Sequence, residues 1–221
     1  METPRAKSMG MTNRPELLRR AINEFLEEQE KLYNGLESIE DVIFQIKEYD
    51  HLVISFNDKE QLREIVVNFV KRGIDSNNLT VLFITKEEEP KFIDILNKLK
   101  NIDSLFRSEE IMIVNADEYL QDGRYLIDPV MKKFGRIAEN AKDRSKSGLS
   151  VIGTPPGVLI AKGKYDEAHK IETQFHEAIR KSAIPATFLC LYRSLPQELE
   201  GRFSECHDLI IKRAVTSTGL A

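Results

Sequence analysis

The chain has 221 residues, of which 41% are hydrophobic and 31% are charged, and its net charge is −4. This is the composition of a globular protein with enough apolar residues for one sizeable core, and it lacks the concentrated basic face that extended nucleic-acid binding needs. No apolar run approaches the roughly 20 residues of a membrane-spanning helix, and the two cysteines, Cys190 and Cys206, are too few for a disulfide framework, so we expect a cytoplasmic protein in a reducing compartment.

The first part of the chain carries a heptad pattern. Residues 1–13 are small and polar and are predicted to form a disordered leader. From about Pro15 to Tyr49, apolar residues are spaced alternately four and three positions apart, with one polar occupant, Gln29. This spacing predicts an N-terminal coiled-coil helix over residues 14–47. We expect it to form a homodimer or to bind a partner protein. The positions of this heptad seam are Leu18, Ile22, Phe25, Gln29, Leu32, Leu36, Ile39, Ile43 and Ile46.

A second interpretation of this segment is a pair of shorter helices. They would separate at Asn34-Gly35, because glycine is common just after a helix end and costs about 1 kcal/mol relative to alanine inside one. The heptad seam is compatible with both interpretations, so the sequence leaves open whether this segment is one continuous helix or two.

From Asp50 onward, short apolar runs alternate with amphipathic segments. Several runs are apolar at every position, which is typical of strands buried on both faces. Regular alternation with helices predicts an α/β fold over residues 48–213, with a mainly parallel sheet of about six strands and helices on both faces. Residues 214–221 are predicted to be a disordered tail. The predicted strands are His51–Phe56, Thr80–Thr85, Ile111–Asn115, Leu149–Gly153, Thr187–Tyr192 and His207–Lys212. The predicted helices are Lys59–Arg72, Pro90–Lys100, Pro129–Ala141, Tyr165–Ser182 and Pro196–Ser204.

The loop after the first strand argues against an ordinary nucleotide site. Ligands of open α/β sheets bind beyond the carboxyl ends of the strands. A phosphate loop there needs glycines, whose backbone amides cradle the phosphates, followed by Lys and Ser/Thr. Residues 55–60 contain no glycine, and Asp58 and Glu60 would repel a phosphate. We interpret both as helix-capping residues and expect neither a cofactor nor ATP hydrolysis through the usual loop.

Three other strand ends carry residues that could bind a ligand. Asp117 and Glu118 follow the third strand as a magnesium-binding pair would, although a cap or turn is favoured without a phosphate loop. Arg124 follows an Asp-Gly turn and could bind an anion. The segment 153–157, with two glycines and two prolines, could line a pocket or simply redirect the chain.

Cys190 and Tyr192 share one face of the fifth strand, because side chains alternate along a strand. No histidine can be placed beside Cys190 from sequence alone. A buried cysteine acting as a small apolar side chain is therefore favoured over a nucleophilic thiol.

His169, Glu172 and His176 share one face of the fourth predicted helix. Imidazole and carboxylate groups can bind zinc. The two histidines are two turns apart, about 10 Å, which is too far for one metal ion to reach both. A partly exposed polar stripe is favoured, and no metal site is predicted.

Five short motifs occur in a characteristic order along the predicted α/β domain. They are the first strand His51–Phe56, Asp122-Gly123-Arg124-Tyr125 after the third strand, Tyr165-Asp166-Glu167 with Glu172 on the fourth helix, Cys190-Leu191-Tyr192 on the fifth strand, and His207 before the last strand. Taken together, they resemble the MEDS family of methanogen/methylotroph and DcmR sensory domains. The resemblance covers about residues 48–213. It implies a RecA/KaiC-like domain that has lost its nucleotide loop. It also implies a role in signal sensing through a small organic molecule.

The resulting hypothesis is a non-catalytic sensory module that binds a small organic ligand at the carboxyl edge of the sheet. The candidate ligand-binding residues are His51, Phe56, Arg124, Tyr125, Cys190 and Tyr192. One alternative is a KaiC-like nucleotide-binding protein or ATPase whose non-standard site uses Asp117, Glu118 and Arg124. The other is a protein-interaction scaffold that acts through the N-terminal coiled coil.

Overall fold

The computed structural model describes residues 38–182, 184–193 and 195–212. The chain divides into two units, Met1–Val42 and Ile43–Ala221, and the architecture below is that of the second unit, apart from the first turn of the helix that crosses the boundary. The heptad positions up to Leu36 and the Asn34-Gly35 dipeptide lie outside the described residues, as do the predicted leader and tail.

The first described helix, α1 (Ile39–Gln45), ends earlier than the heptad pattern predicts. The Asp50 carboxylate accepts a hydrogen bond from the backbone N–H of Lys47 at 2.7 Å. Tyr49 lies in the left-handed region with φ 67°. The chain therefore leaves the helical conformation before Tyr49 and turns into the first strand.

Six parallel strands form one sheet, and the six predicted strands are all confirmed, with ends shifted by up to two residues. The strands are β1 (His51–Ser55), β2 (Asn78–Ile84), β3 (Ile111–Asn115), β6 (Gly148–Gly153), β7 (Ala186–Tyr192) and β8 (Leu209–Lys212). Their order across the sheet is β3-β2-β6-β7-β1-β8. A separate antiparallel hairpin consists of β4 (Leu120–Gln121) and β5 (Arg124–Tyr125). Every residue of β6 and β7 is buried, which explains why both strands are mainly apolar, with Ser150 and Thr187 as the polar exceptions.

Helices cover both faces of the sheet, as the sequence predicts. Gly73 of the helix after β1 lies against Thr80 and Ser150 on one face. The alternate residues Val81 and Val151 belong to the hydrophobic core on the other face. The helices are α2 (Lys59–Asp75), α3 (Glu89–Leu96), α4 (Ile102–Arg107), α5 (Ile127–Asp143), α6 (Pro155–Ala161), α7 (Tyr165–Arg180) and α8 (Glu200–Phe203), with 3₁₀ turns at Ala116–Tyr119 and Gln197–Leu199.

Two helical segments differ from the sequence prediction. The helix predicted over Pro90–Lys100 is α3, which ends four residues earlier, at Leu96, and the separate helix α4, which was not predicted, begins after Asn101 adopts a left-handed φ of 62°. The proline-rich segment after β6 begins the helix α6, with Pro155 and Pro156 in its first turn. Proline is tolerated there because its missing N–H would have no partner within the helix. This segment therefore redirects the chain by starting a helix.

Candidate functional site

A cluster of polar side chains is buried between the sheet and α7. We call it the buried cluster and define it as His51, Glu172, Cys190, Tyr192 and His207. His51 opens β1, Cys190 and Tyr192 alternate along β7, Glu172 comes from α7, and His207 precedes β8. Because β1 lies between β7 and β8 in the sheet, these separate segments meet beneath one helix.

The Glu172 carboxylate is at the centre of the buried cluster. Its Oε2 lies 3.1 Å from His51 Nε2, 3.4 Å from His207 Nε2 and 3.2 Å from Cys190 Sγ, whose thiol donates to it. Its Oε1 accepts a hydrogen bond from the Tyr192 hydroxyl. His51 Nε2 is also 3.3 Å from Cys190 Sγ. One ligand atom from each of His51, Glu172, Cys190 and His207 therefore falls within 4.8 Å of the others.

Backbone carbonyls fix the orientation of both imidazole rings. His51 Nδ1 lies 2.7 Å from the carbonyl oxygen of Cys206, and His207 Nδ1 lies 2.8 Å from that of Phe203. A carbonyl oxygen only accepts hydrogen bonds, so each Nδ1 carries a proton. The Nε2 atom of each ring consequently faces the buried cluster.

The charges in the buried cluster are coupled. Burial lowers the pKa of His51, and the neighbouring His207 lowers it further, against the opposing effect of Glu172. Burial also disfavours the charged form of His207, but Glu172 and Cys206 raise its pKa to about 10. Burial would raise the pKa of Glu172, yet His207 and His51 hold it well below its usual value. The result is a carboxylate paired with an imidazolium in the interior.

The Cys190 thiol and the Tyr192 hydroxyl remain protonated. Burial, reinforced by the nearby Glu172 charge, raises the pKa of both groups well above their ordinary values. In this charge state Cys190 is a hydrogen-bond donor and a poor nucleophile.

A cavity of about 600 Å³ lies on the same side of the sheet, between α5 and α7. Its floor is formed by residues near the amino ends of β6 and β7. Most of its lining is apolar, including Met131, Phe134, Leu149, Phe175, Ile179 and Phe188. Three charged side chains, Glu139, Lys142 and Lys181, lie at its edge and are exposed.

Aromatic contacts connect the cavity to the buried cluster. Phe188, in the cavity wall, contacts the edge of the His51 ring with centroids 6.3 Å apart. Phe175 packs on Phe188 at 5.5 Å. Helix α7 therefore presents Phe175 to the cavity and Glu172 to the buried cluster.

The structure brings together three of the six candidate residues, His51, Cys190 and Tyr192. The other three candidates, Phe56, Arg124 and Tyr125, lie away from the buried cluster. Phe56 follows β1 at its carboxyl end, where Lys91 Nζ lies 5.1 Å from its ring centroid. Arg124 is exposed on the β4–β5 hairpin, and Tyr125 beside it is half-buried.

The candidate ligand-binding residues did not include two central residues, Glu172 and His207, although both belong to the motifs that carry the family resemblance. The partial exposure expected for the polar residues of α7 is wrong for Glu172, which is 0% exposed. His169 and His176 are half-buried. His51 lies beside Cys190, although the sequence alone did not allow any histidine to be placed there. A usable signal was present, since both His51 and His207 occur at the start of apolar strands that can pair in parallel.

Comparison with known proteins gives a family. No curated protein matches the chain. The family model for the MEthanogen/methylotroph, DcmR Sensory domain matches residues 50–208. The chain belongs to the MEDS family. This assignment gives it a sensory or signalling role, and residues 50–208 include the whole buried cluster.

The fold of this MEDS domain is KaiC-like. The structure is similar to that of a KaiC-like protein from the hyperthermophilic archaeon Pyrococcus horikoshii OT3, with a TM-score of 0.53 and 8% sequence identity. The similarity covers 79% of this chain and 76% of that one. At this level of identity the likeness establishes the fold alone. None of the described helices is long and apolar enough to cross a membrane.

The position of a phosphate loop in this MEDS domain is occupied by a helix cap. Asp58 accepts a hydrogen bond from the backbone N–H of Gln61 at 2.8 Å, and the Gln61 side chain accepts one from the N–H of Asn57 at 2.9 Å. This arrangement differs from a capping box only in that Gln61 accepts from the residue before the N-cap and not from the N-cap Asp58 itself. The predicted capping role of Asp58 is therefore confirmed, and its carboxylate occupies the helix N-terminus where a phosphate would bind.

The neighbouring strand ends are also engaged in local hydrogen bonds. The Asp117 carboxylate accepts the backbone N–H of Lys86 at 2.8 Å, which ties the ends of β2 and β3 together. The Glu88 carboxylate accepts hydrogen bonds from the hydroxyls of Thr85, at 3.0 Å, and Thr154. Asp117, which the nucleotide alternative requires, thus has a structural role at this edge.

Proposed function

We propose that this MEDS domain senses a small apolar organic molecule, which binds in the cavity between α5 and α7. The observation that carries the proposal is the cavity itself, about 600 Å³ in volume and lined mainly by apolar side chains. Small-molecule sites in proteins are typically concave, mostly apolar and about 300 to 1,000 Å³ in volume. The cavity therefore has the size and the chemistry of a ligand site in a domain whose family is sensory.

The lining defines the class of ligand. Phe134, Phe175 and Phe188 present aromatic surface to the interior of the cavity. A charged group placed among them would lose its hydration without gaining a partner. The exposed charges of Lys142, Lys181 and Glu139 lie at the edge, where they can meet one polar group of the ligand. The proposed occupant has an apolar body with at most one polar end directed toward solvent.

This proposal moves the ligand away from the edge that the sequence favoured. The expected site was the carboxyl edge of the sheet, whereas Leu149 and Ala186 in the cavity wall lie at the amino ends of β6 and β7. At the carboxyl edge, Asp58, Glu88 and Asp117 already bond to neighbouring backbone or hydroxyl groups.

Helix α7 is suited to transmit the signal. A ligand that fills the cavity contacts Phe175 and Ile179 on one side of α7, while Glu172 holds the other side to the buried cluster. A ligand shifts a conformational equilibrium only when it contacts the two states differently. Because α7 is the common wall of both regions, a small displacement of this helix changes the contacts of both.

Gly135 offers a direct test. It lies in the middle of α5 and lines the cavity, and a Cβ added there meets nothing within 4 Å. We expect Gly135→Phe to occupy the mouth of the cavity and to weaken binding by more than about 10-fold, since overpacking a filled site costs roughly 1 to 3 kcal/mol. The matched control is Gly135→Ala, which keeps the cavity open and stabilises the helix by up to about 1 kcal/mol. The probe is 1-anilinonaphthalene-8-sulfonate, which has an apolar body and one anionic end.

Binding is measured by fluorescence titration and by displacement of the probe with small apolar compounds. The expected result is saturable binding to the natural chain and to Gly135→Ala, and its loss in Gly135→Phe while thermal unfolding stays cooperative. Equal binding to all three chains would contradict the proposal, as would a failure of the natural chain to bind. Displacement by ATP instead of apolar compounds would favour the nucleotide alternative.

A further inference from the structure

We propose that the buried cluster is a binding site for a divalent transition-metal ion of the zinc class. The four ligand atoms are His51 Nε2, Glu172 Oε2, Cys190 Sγ and His207 Nε2. The site is separate from the cavity, and its existence does not depend on the sensory ligand proposed above.

Four of the six distances between the donor atoms are close to those of a tetrahedral zinc site, and all six are within 4.8 Å. Bond lengths of about 2.0 to 2.3 Å from zinc to nitrogen, oxygen and sulfur place neighbouring donors roughly 3.3 to 3.6 Å apart in a tetrahedron. The observed distances from Glu172 Oε2 to His51 Nε2, Cys190 Sγ and His207 Nε2 are 3.1, 3.2 and 3.4 Å. Small side-chain adjustments would therefore be enough to admit the ion.

The two histidines are oriented as metal ligands usually are. Metal-bound histidine normally donates its other ring N–H to a carbonyl or carboxylate, which fixes the tautomer and the ring. Here the Nδ1 of His51 donates to the Cys206 carbonyl and the Nδ1 of His207 donates to the Phe203 carbonyl. In the neutral rings, both Nε2 lone pairs are then directed at the same small volume.

The hydrogen bonds within the buried cluster do not fully satisfy its polar atoms. His207 is 6% exposed, and the polar contact of its Nε2 with Glu172 Oε2, at 3.4 Å, does not have hydrogen-bond geometry. The Tyr192 hydroxyl donates to Oε1 of Glu172 and leaves Oε2 directed at the histidines. His51 Nε2 and Glu172 Oε2 are both acceptors when Nδ1 carries the ring proton, and they lie only 3.1 Å apart. A cation between them would satisfy both atoms.

The donor set selects the class of metal. Imidazole nitrogen suits zinc, copper, iron and nickel, and thiolate favours zinc, iron or Cu(I) over the hard ions magnesium and calcium. The entering divalent ion would displace the Cys190 thiol proton and the second proton of the His207 imidazolium, both released to solvent. The ion with one thiolate, one carboxylate and two neutral imidazoles then has no net charge, which suits a site whose four ligands are buried. With four protein ligands the site is closed, as in structural zinc sites, and it would fasten α7 to β1, β7 and the segment before β8.

The test uses the full chain and the metal ions themselves. The protein is treated with a chelator, titrated with Co²⁺ and Zn²⁺, and analysed for bound metal after removal of excess ion. We expect one ion per chain, a thiolate-to-cobalt charge-transfer band, and a rise in the unfolding temperature with Zn²⁺. Mg²⁺ should produce no such rise.

The chain offers a matched pair of variants for this test. Cys190→Ser removes the proposed sulfur ligand and should abolish the charge-transfer band. It should also lower the metal affinity more than about 100-fold, since loss of even a group that only hydrogen-bonds to a ligand lowers the affinity roughly 10- to 100-fold. Cys206→Ser alters the other buried cysteine, whose thiol bonds to the Phe203 carbonyl and lies 3.5 Å from His207 Nδ1. It removes none of the four proposed ligands and keeps the backbone carbonyl that holds His51, so it should keep both the band and the stoichiometry.

Two outcomes would overturn the metal site. One is a natural chain that retains no Zn²⁺ or Co²⁺ after removal of excess ion. The other is a charge-transfer band that persists in Cys190→Ser or disappears in Cys206→Ser. Neither outcome bears on probe binding in the α5–α7 cavity, so failure of the metal site and failure of the proposed function are distinguishable.

Discussion

Glu172 contacts every other side chain of the buried cluster. Its carboxylate is fully buried and contacts four polar side chains, His51, Cys190, Tyr192 and His207. Removing one partner of a buried ion pair typically costs about 3 to 5 kcal/mol, because the other charge is left uncompensated. We expect Glu172→Gln to lower the free energy of unfolding by about this amount, measured by urea denaturation in the presence of a chelator.

The matched control for Glu172→Gln is on the same helix. Glu177 is exposed and pairs with Lys181 at 3.4 Å on the surface, so Glu177→Gln should change stability by less than about 0.5 kcal/mol. Tyr192→Phe removes one donor to the Glu172 carboxylate and should cost an intermediate amount, about 1 to 3 kcal/mol. Equal effects of Glu172→Gln and Glu177→Gln would show that the buried carboxylate does not stabilise the fold.

The packing of α6 on β7 depends on one glycine. A Cβ built on Gly157 would lie 2.4 Å from the carbonyl oxygen of Leu191, which is backbone and cannot move aside cheaply. We expect Gly157→Ala to cost about 1 to 3 kcal/mol, the usual range for overpacking. Gly201→Ala in α8 is the control, because a Cβ there meets nothing within 4 Å and the substitution should be neutral or slightly stabilising.

The measurement for this glycine pair is the midpoint of thermal or urea unfolding, compared between the two alanine variants. A cost for Gly157→Ala that is no greater than that of Gly201→Ala would mean that α6 moves away from β7 without penalty. In that case the close approach of α6 to β7 would not require glycine at position 157.

At the scale of the whole molecule, the strands were predictable and part of the helical layer was not. The apolar runs at β2 and β7 predicted buried strands because each run is too short and too uniform for an amphipathic helix. Helix α6 was missed because Pro155, Pro156 and Gly157 are common in loops, and the same residues also suit a first helical turn and a close contact.

The site was less predictable than the fold, for a physical reason. Alternation placed Cys190 and Tyr192 on one face, but their neighbours depend on strand order, in which β1 lies between β7 and β8. That order brings His51 and His207 to the same place from residues far apart in the chain. The cavity is a gap between α5 and α7, and no local sequence pattern encodes a gap left by packing.

The heptad seam yields the last prediction, which concerns assembly. We propose that the seam between Leu18 and Leu36 joins two copies of the chain, since its apolar residues recur with coiled-coil spacing. The double variant Ile22→Glu with Leu32→Glu places charges in the seam, whereas Asn23→Glu with Asn34→Glu adds the same charge outside it. Light scattering coupled to size-exclusion chromatography should give a dimer for the natural chain and the control, and a monomer for the seam variant. If the seam variant keeps the mass of the natural chain, or if the natural chain is already a monomer, the seam does not mediate self-association and its apolar residues have another role.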